Sequence, residues 1–475
     1  RRRRRGSFLR IVRRRSAELV GAVTTAYLRG EASSLGSLAL DQLVDVPRER
    51  FQLRRVAATQ PVAAAGLEVA GNLREADIVS ITGMKVFALL LAVGFVISLV
   101  LTWIFQVMPI FFIVGGYSNA VSLESARRRG VDYAGWLAVR LNRLIAPLLV
   151  LVISWAVIGA IMHIFNVHPN VIQYASQASL IPTWFLAIYI MVVILAPATY
   201  QFWRSFGFAS FWVLVAIALL IDAIFFVADL HWLGWSNYFP VWLAVHHLGY
   251  MWRDGRIASP PRLLIYSALG FLALVLLVLL GPYPFAMVGS PDEGLSNTTP
   301  PKITLLALGV FQFGLLLALE SAMRRALENL RLWTATVLIS SMIMTVYLWH
   351  ITVMVVFVAL LYLAGGPGLG MDPGSGGWWL SRPLWIAVLL ILLLPVALLL
   401  SPLERRSRKG GSVPASSVRQ IGGAMMVCLG IALLAKFGYG GGPLENLDVM
   451  AFALVIVGAM ICGVIFGPRT RGAPS

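Results

Sequence analysis

The chain alternates long apolar runs with short polar or Pro/Gly-rich breaks along most of its length. A helix needs about 20 predominantly apolar residues to cross the hydrocarbon core of a bilayer. Cutting the sequence at the breaks predicts twelve spans, at 84–103, 106–122, 144–163, 183–199, 211–228, 237–251, 263–281, 303–321, 334–362, 383–400, 421–437 and 449–467. The pattern predicts an all-α fold: a polytopic transmembrane helix bundle of about ten core helices plus a C-terminal two-helix extension.

The positive charges between these runs predict the orientation of the helices. Loops rich in Lys and Arg stay on the cytoplasmic side of a membrane. With the N-terminal segment placed inside, the outside loops carry only Lys302, Arg382 and Lys436, whereas the inside loops include arginine clusters such as 127–129 and 324–331. We therefore predict a multi-pass protein of the bacterial plasma membrane with both termini in the cytoplasm.

The overall composition excludes several classes of protein. The chain is 59% hydrophobic and 12% charged, with a mean hydropathy of +0.82, which is outside the range of soluble domains. A net charge of +17 would suit a nucleic-acid-binding protein, but here the cations lie between apolar segments rather than on one soluble face. Cys428 and Cys462 both lie inside apolar runs. We therefore expect no nucleic-acid partner, no disulfide framework and no metal site.

Changes in composition divide the chain into four segments. Residues 1–80 begin with "RRRRRGSFLRIVRRRSAELV", in which arginine clusters alternate with apolar residues. This pattern is typical of a helix on anionic lipid, and a solvated basic tail is the alternative. The transmembrane domain follows at 81–400, then a basic cytoplasmic loop at 401–420, and finally a transmembrane hairpin with a short tail at 421–475.

Two arginines stand immediately before a proline and a purely apolar run. Arg140 and Arg143 are three positions apart, so they point the same way on a helix. Their planar, permanently charged guanidinium groups suit the oxygens of a phosphate. The alternative is that both side chains only anchor the helix end to lipid headgroups.

Three ionisable residues lie near the middle of predicted spans. Asp222 is roughly midway through one span, and His246 and His247 are roughly midway through the next. Such groups are costly in a bilayer, so they usually line a cavity or pair with one another. Because a carboxylate that orients an imidazole is typical of a general base, we hypothesise that Asp222 pairs with one of the histidines. A purely structural hydrogen bond between helices is the alternative.

Several motifs occur together in order along the chain. They are "FQVMPIFFIVGGYSNA" (105–120), the arginine pair followed by Pro147, "TWFLAIYIMVVILAP" (183–197), "NYFPVWLAVHHLGYMWRDG" (237–255) and "TVYLWH" (345–350). Over about residues 84–400 the chain resembles the integral-membrane acyltransferase 3 family, specifically its actinobacterial type. Within "FQVMPIFFIVGGYSNA" the glycine pair predicts close helix packing, and Ser118 and Asn119 are packing residues or polar contacts to a substrate.

The resemblance implies an activity and roles for particular residues. The family moves acyl groups, often acetyl, from cytoplasmic acyl-CoA to hydroxyls of carbohydrates or glycolipids of the cell envelope. By this resemblance Arg140 and Arg143 correspond to the Arg-x-x-Arg pair that faces CoA. His350 matches a recurring family position and becomes an active-site candidate, with a packing histidine as the alternative.

One family feature is missing from the first predicted span. The family carries there a histidine that serves as the proposed general base, whereas "ITGMKVFALLLAVGFVISLVLTWIFQ" contains Lys85 and no histidine. The resemblance implies a membrane O-acyltransferase that uses acyl-CoA as co-substrate, with His246 or His247 as a replacement base. The alternative is a noncatalytic relative that acts as a partner in the translocation of envelope lipid or polysaccharide.

Overall fold

The computed structural model of the chain describes residues 102–103, 106–255, 259–287, 295–372, 375–409, 416–440 and 447–464. These residues contain thirteen α-helices, one 3-10 helix and no β-strand. The basic segment predicted at 1–80, and nearly all of the span predicted at 84–103, lie outside the described residues.

The helices follow one another with short connections. They are α1 (Val107–Arg128), α2 (Tyr133–Ile164), α3 (Pro169–Leu180), α4 (Thr183–Phe206), α5 (Phe208–Val227), the 3-10 helix (His231–Tyr238), α6 (Pro240–Arg253), α7 (Pro260–Leu280), α8 (Ile303–Ala318), α9 (Glu320–Ala326), α10 (Leu330–Leu363), α11 (Gly376–Lys409), α12 (Ser417–Phe437) and α13 (Leu447–Ile461).

Eight of these helices are long and apolar enough to cross a membrane. They are α1, α2, α4, α5, α7, α10, α11 and α12, and the pair α8 and α9, bent by 52° at its break, adds a ninth span. The all-α polytopic bundle predicted from hydropathy is therefore confirmed. Helices α6 and α13 have only 14 and 15 residues and fall short of the length of a full span. The span predicted at 237–251 is shortened because the residues before it fold into the separate 3-10 helix.

Two elements lie between spans and were not predicted. Helix α3 connects α2 to α4, and the 3-10 helix connects α5 to α6. Helix α3 begins with Pro169 after the side chain of His168, which accepts a hydrogen bond from the Asn170 N–H (3.3 Å). Both elements are short and contain many polar residues, so hydropathy alone gives them no signal.

The loops define two faces of the bundle. Because consecutive spans joined by short loops reverse direction, the loops α1–α2, α4–α5, α6–α7 and α9–α10 lie on one face. This arginine-rich face carries the residues Arg127, Arg128, Arg129, Arg204, Arg253, Arg324, Arg325 and Arg331. Lys302 and Arg382 lie on the opposite face. That the arginine-rich face is cytoplasmic stays a prediction from the positive-inside rule.

Helices α1 and α6 run parallel and cross in backbone contact. Phe112 stacks on Trp242 towards the opposite face, with ring centroids 4.4 Å apart. A Cβ atom at Gly116 would lie 2.0 Å from the carbonyl oxygen of His246, and one at Gly249 would lie 2.1 Å from the carbonyl oxygen of Ile113. Only glycine fits at these two positions. The close approach places the buried face of α6 against the polar residues of α1.

The C-terminal hairpin is part of the bundle. Helices α12 and α13 pack along each other, and α12 also packs against α2, α3 and α4. Gln420 Nε2 donates to the carbonyl oxygen of Ala134 (2.9 Å) near the start of α2. At the other end of α12, the Tyr439 hydroxyl donates to the carbonyl oxygen of Val152 (3.0 Å). The hairpin therefore contacts α2 near the arginine-rich face and again deeper in the bundle.

Candidate active site

A cavity of about 640 Å³ lies between α1 and α2 near the arginine-rich face. It is lined by Tyr117, Ser118, Val121, Ser122, Ala126, Arg129, Val131, Gly135, Trp136, Val139, Arg140 and Arg143. Three arginines are therefore among the residues around one space whose walls are mostly apolar. A cavity of this size and lining suits an elongated ligand with anionic groups.

The two arginines singled out in the sequence both line this cavity. Arg140 is half-buried, and its Nη2 donates to the carbonyl oxygen of Ser118 (3.0 Å) and lies 3.4 Å from the Ser118 hydroxyl. Its guanidinium also lies 5.9 Å from the ring centroid of Trp136. Arg143 is exposed on the cavity wall. Protein contacts thus hold Arg140 in the cavity, and the simple lipid-anchor interpretation does not account for them.

A buried polar group lies directly behind Arg140. Asn119 is fully buried, and its Nδ2 lies 3.1 Å from His246 Nε2. The Tyr189 hydroxyl is hydrogen-bonded to Asn119, and the charges of Arg140 and Arg143 act on it from a greater distance. We call Ser118, Asn119, Arg140, Tyr189 and His246 the inner polar cluster. It connects the cavity between α1 and α2 to the imidazole on α6.

The two residues of the glycine pair have different neighbours. Gly116 contacts the α6 backbone, and Gly115 leaves room for the Tyr189 ring. A Cβ atom at Gly115 would lie 2.8 Å from the Tyr189 hydroxyl oxygen. The glycine pair thus admits the α6 backbone on one side and the Tyr189 phenol on the other. Close helix packing was the expected role of this pair, and the structure confirms it. Tyr189 itself was not singled out, because a tyrosine inside an apolar run has no pattern of its own.

The inner polar cluster keeps two hydrogen-bonding atoms open. Among the described residues, Asn119 Oδ1 and His246 Nδ1 are buried and have no hydrogen-bond partner. Buried polar atoms are nearly always paired in native proteins, so these two are exceptions. Both residues lie behind the cavity wall, whereas Ser118, the neighbour of Asn119, is part of it. Ser118 is therefore placed for polar contact with a substrate, whereas Asn119 is a buried packing residue next to His246.

The neighbouring histidine has different surroundings. His247 Nδ1 lies 2.7 Å from the carbonyl oxygen of Leu243, one turn earlier in its own helix. Its ring centroid is 6.0 Å from that of Trp203 on α4. His247 thus makes its hydrogen bond within α6, whereas His246 makes its own across to α1. The structure thus separates His246 from His247 by their hydrogen-bond partners, whereas their positions in the sequence gave no reason to prefer either.

The predicted pairing of Asp222 with a histidine is wrong. Asp222 is buried in the last two turns of α5 and accepts hydrogen bonds from Asn237 Nδ2 (2.8 Å), the Tyr283 hydroxyl (3.2 Å) and the Ile303 N–H (2.9 Å). Lys302 Nζ lies 3.9 Å from its Oδ1. The first free N–H groups of a helix attract a carboxylate, and α8 begins beside Asp222. Asp222 thus binds the start of α8 and does not reach α6.

Lys302 completes this second group, which we call the ion-pair cluster: Asp222, Asn237, Tyr283, Lys302 and Ile303. The Lys302 side chain is 1% exposed, and its ammonium lies 3.1 Å from the ring centroid of Phe225. Burial lowers the pKa of Lys302 to about 8, although the charge of Asp222 acts in the opposite direction. Through these contacts the ion-pair cluster joins the start of α8 and the residue before it to α5.

His350 lies apart from both clusters. It is exposed on α10, and its Nδ1 is 2.6 Å from the carbonyl oxygen of Tyr347. Tyr347 in turn donates to the carbonyl oxygen of Pro182 (2.8 Å). Among the described residues, no hydrogen bond joins His350 to the inner polar cluster. Its role as an active-site residue stays a prediction from the family resemblance.

A third polar group holds the helix ends near the cavity. Glu124 on α1 accepts hydrogen bonds from the Tyr200 hydroxyl on α4 and from Arg253 on α6. Beside it, Trp203 Nε1 donates to Asp254 Oδ2 (2.8 Å). These contacts tie three helices together at the arginine-rich face. The sequence gave no signal for them, because the partners come from three separate motifs.

The residues of the cavity suit an anionic cofactor. Arg129, Arg140 and Arg143 would hold its phosphate groups. Within the part of the chain that the structure describes, no three His, Cys, Asp or Glu side chains are grouped as metal ligands would be. The chemistry that the cavity residues offer is charge-assisted hydrogen bonding at the arginines. The imidazole of His246, a group that can transfer a proton, lies behind the cavity wall.

Comparison with known protein families identifies a family for this chain. The family model described as "Acyltransferase domain" matches residues 78–402, more than half of the chain. This stretch contains the cavity, the inner polar cluster and the ion-pair cluster, whereas α12 and α13 lie beyond it. No curated protein and no solved structure matches the chain. The match to the family model, together with the membrane-spanning helix bundle, shows that the chain belongs to the acyltransferase 3 family of membrane acyltransferases.

Proposed function

We propose that this protein transfers an acyl group, acetyl in the simplest case, from acyl-CoA to a hydroxyl of an envelope carbohydrate or glycolipid. One observation carries the proposal: Arg140 and Arg143 line a cavity that is joined, through Asn119 and Tyr189, to the imidazole of His246. A donor site and a proton acceptor are thereby within one connected group of residues.

The two arginines bind the anionic donor. Arg140 is preoriented by its hydrogen bonds to Ser118, so little side-chain freedom is lost when it contacts a phosphate. Arg143 follows one turn later on the same helix and faces the same cavity. On the predicted orientation this cavity opens towards the cytoplasm, where acyl-CoA is available.

The reaction is a direct transfer. The imidazole of His246 takes the proton of the acceptor hydroxyl, and the hydroxyl oxygen attacks the carbonyl carbon of the thioester. A new carbon–oxygen bond forms, the carbon–sulfur bond breaks, and the proton passes from the imidazolium to the departing thiolate. His246 thereby supplies the general base that the family places in the first span.

His246 is the better placed of the two histidines for this role. Its Nε2 lies 3.1 Å from Asn119 Nδ2, and the neighbour of Asn119 in the sequence, Ser118, lines the cavity. His247 is instead bonded to the backbone of its own helix. His350 is exposed on α10 and stays available for contact with the acceptor.

Binding of acetyl-CoA to the purified full-length protein in detergent tests the proposal. We expect binding that weakens at high salt and is lost in Arg140→Ala/Arg143→Ala. The double variant Arg324→Ala/Arg325→Ala is the matched control, because it removes the same charge from exposed positions of α9 on the same face.

The control should bind like the wild type. Loss of binding in both double variants would mean that only the overall charge matters. A folded wild type that binds no acetyl-CoA would overturn the proposal, and the noncatalytic translocation partner would become the better interpretation. Binding without release of free thiol in the presence of envelope glycans would favour that same alternative.

A further inference from the structure

A third arginine lines the donor cavity outside the Arg-x-x-Arg pair. We propose that Arg129 forms a second phosphate site at the mouth of this cavity, so that the donor site recognises a nucleotide thioester with phosphates at two separate positions. This inference rests on the proposed donor function of the cavity. It adds a residue that decides which donor is accepted.

The three arginines lie at two depths. Arg129 is the C-cap residue directly after α1 on the arginine-rich face, and α2 begins only four residues later at Tyr133. Arg140 is seven residues into α2, which at about 1.5 Å per residue places it about 10 Å deeper, and Arg143 lies about one turn beyond it. A single phosphate does not span that separation, whereas a ligand with two anionic positions does.

The backbone of Arg129 is fixed by the end of its helix. Its N–H donates to the carbonyl oxygens of Ala126 (3.0 Å) and Ser125 (3.2 Å), and Gly130 follows with a φ of +69°, a conformation that favours glycine. The Val131 N–H then donates back to Ala126 (2.9 Å). This helix end holds Arg129 at the cavity, while Arg127 and Arg128 are not among the lining residues.

The wall between the two charged levels is apolar. Val121, Ala126, Val131, Gly135, Trp136 and Val139 all line the cavity. Such a wall suits the uncharged parts of a ligand. The closest acidic residue in the sequence, Asp132, caps α2 by accepting a hydrogen bond from the Gly135 N–H (2.8 Å) and is not among the lining residues. The cavity therefore presents positive charge at two levels with apolar surface between them.

Two donors that differ by one phosphate test the inference. Acetyl-CoA carries a 3′-phosphate on its ribose, and acetyl-dephospho-CoA lacks it while keeping the diphosphate. Their dissociation constants would be measured for full-length wild type, Arg129→Gln and Arg128→Gln in detergent at two salt concentrations. Arg128→Gln is the matched control, since it removes the same charge from the adjacent exposed residue.

We expect the wild type to prefer acetyl-CoA and Arg129→Gln to bind it about tenfold more weakly, the size of one lost charged hydrogen bond. The affinity of Arg129→Gln for acetyl-dephospho-CoA should be unchanged, so its preference disappears, whereas Arg128→Gln should keep the preference.

Three outcomes would overturn the inference. A wild type that binds both donors equally, or an Arg129→Gln variant that still prefers acetyl-CoA, would show that Arg129 does not bind the 3′-phosphate. If Arg128→Gln and Arg129→Gln weakened the binding of acetyl-CoA equally, the cause would be the general positive charge of the surface rather than a specific site. A wild type that binds neither donor would instead defeat the proposed function itself.

Discussion

Two groups of buried polar side chains lie in the same bundle, and they differ in what surrounds them. The ion-pair cluster near the opposite face surrounds Asp222 with three hydrogen-bond donors and the ammonium of Lys302. Two members of the inner polar cluster, Ser118 and Arg140, line a cavity of about 640 Å³. Both clusters contain buried atoms without a hydrogen-bond partner among the described residues, namely Asn119 Oδ1 and His246 Nδ1 in the inner polar cluster and Asn237 Oδ1 and Lys302 Nζ in the ion-pair cluster.

The difference teaches how to interpret ionisable residues in a membrane span. Asp222 attracted a catalytic hypothesis because a charge inside a bilayer is costly and usually functional. Its environment shows a structural use, since it joins α5 to the first N–H of α8. Among the described residues His246 has no charged partner, and it lies behind Asn119, the neighbour of the cavity residue Ser118. Proximity to a cavity, rather than burial of a charge, separates the two.

The largest effect is expected from removing the imidazole of the inner polar cluster. His246→Ala should lower kcat for acyl transfer at least about 100-fold, the usual contribution of a general base, with the dissociation constant for acetyl-CoA unchanged. His247→Ala is the matched control and should keep most of the activity. Release of free thiol from acetyl-CoA measures both. A greater loss of activity in His247→Ala than in His246→Ala would show that His247, and not His246, is the general base.

The ion-pair cluster should respond in stability instead. Asp222→Ala leaves the ammonium of Lys302 buried without its counter-charge, which should cost about 3 to 5 kcal/mol in the free energy of unfolding. In Asp222→Leu/Lys302→Met both charges are absent, and most of this loss should be recovered. Denaturant unfolding in detergent measures the three proteins. If Asp222→Ala were fully stable but unable to transfer acyl groups, Asp222 would belong to the active site.

A smaller effect should follow from separating the helices behind the inner polar cluster. The added methyl group in Gly116→Ala meets the carbonyl oxygen of His246 and should cost about 1 to 3 kcal/mol, with reduced activity as α6 moves. Gly422→Ala is the control, because Gly422 is exposed on α12 with open space around it. Thermal unfolding of both variants measures this effect. Equal melting temperatures for Gly116→Ala and Gly422→Ala would contradict the close backbone contact between α1 and α6.

The last effect concerns the pH dependence of stability, and it is the smallest per unit of pH. The pKa of Lys302 is about 8 in the folded protein and near 10.5 in an unfolded chain. Between these values the unfolded chain binds more protons, so the free energy of unfolding should rise with pH, by at most about 1.4 kcal/mol per unit. Below pH 8 the cost of burying the charge is present in full. Lys302→Met should remove this rise. If the free energy of unfolding changed with pH equally in the wild type and in Lys302→Met, the low pKa of Lys302 would be refuted.

The sequence predicted part of the candidate site. Arg140 and Arg143 were found because two arginines at helical spacing before an apolar run form a recognisable pattern, and both line the cavity. His246 and His247 were found by their depth, but nothing in the sequence separated them. Arg129 and Tyr189 gave no signal of their own. One is the last of three arginines in a basic loop, and the other is a tyrosine in an apolar helix.

The sequence by itself determined that this is an all-α membrane protein of the acyltransferase 3 family, and hydropathy located most of the long helices. The reason is that every span must supply about 20 apolar residues whatever its neighbours are. Only the tertiary structure decided that His246 meets Asn119 while Asp222 meets Lys302. The rotation and crossing of each helix follow from contacts such as Gly116 against the α6 backbone, and hydropathy carries no information about them.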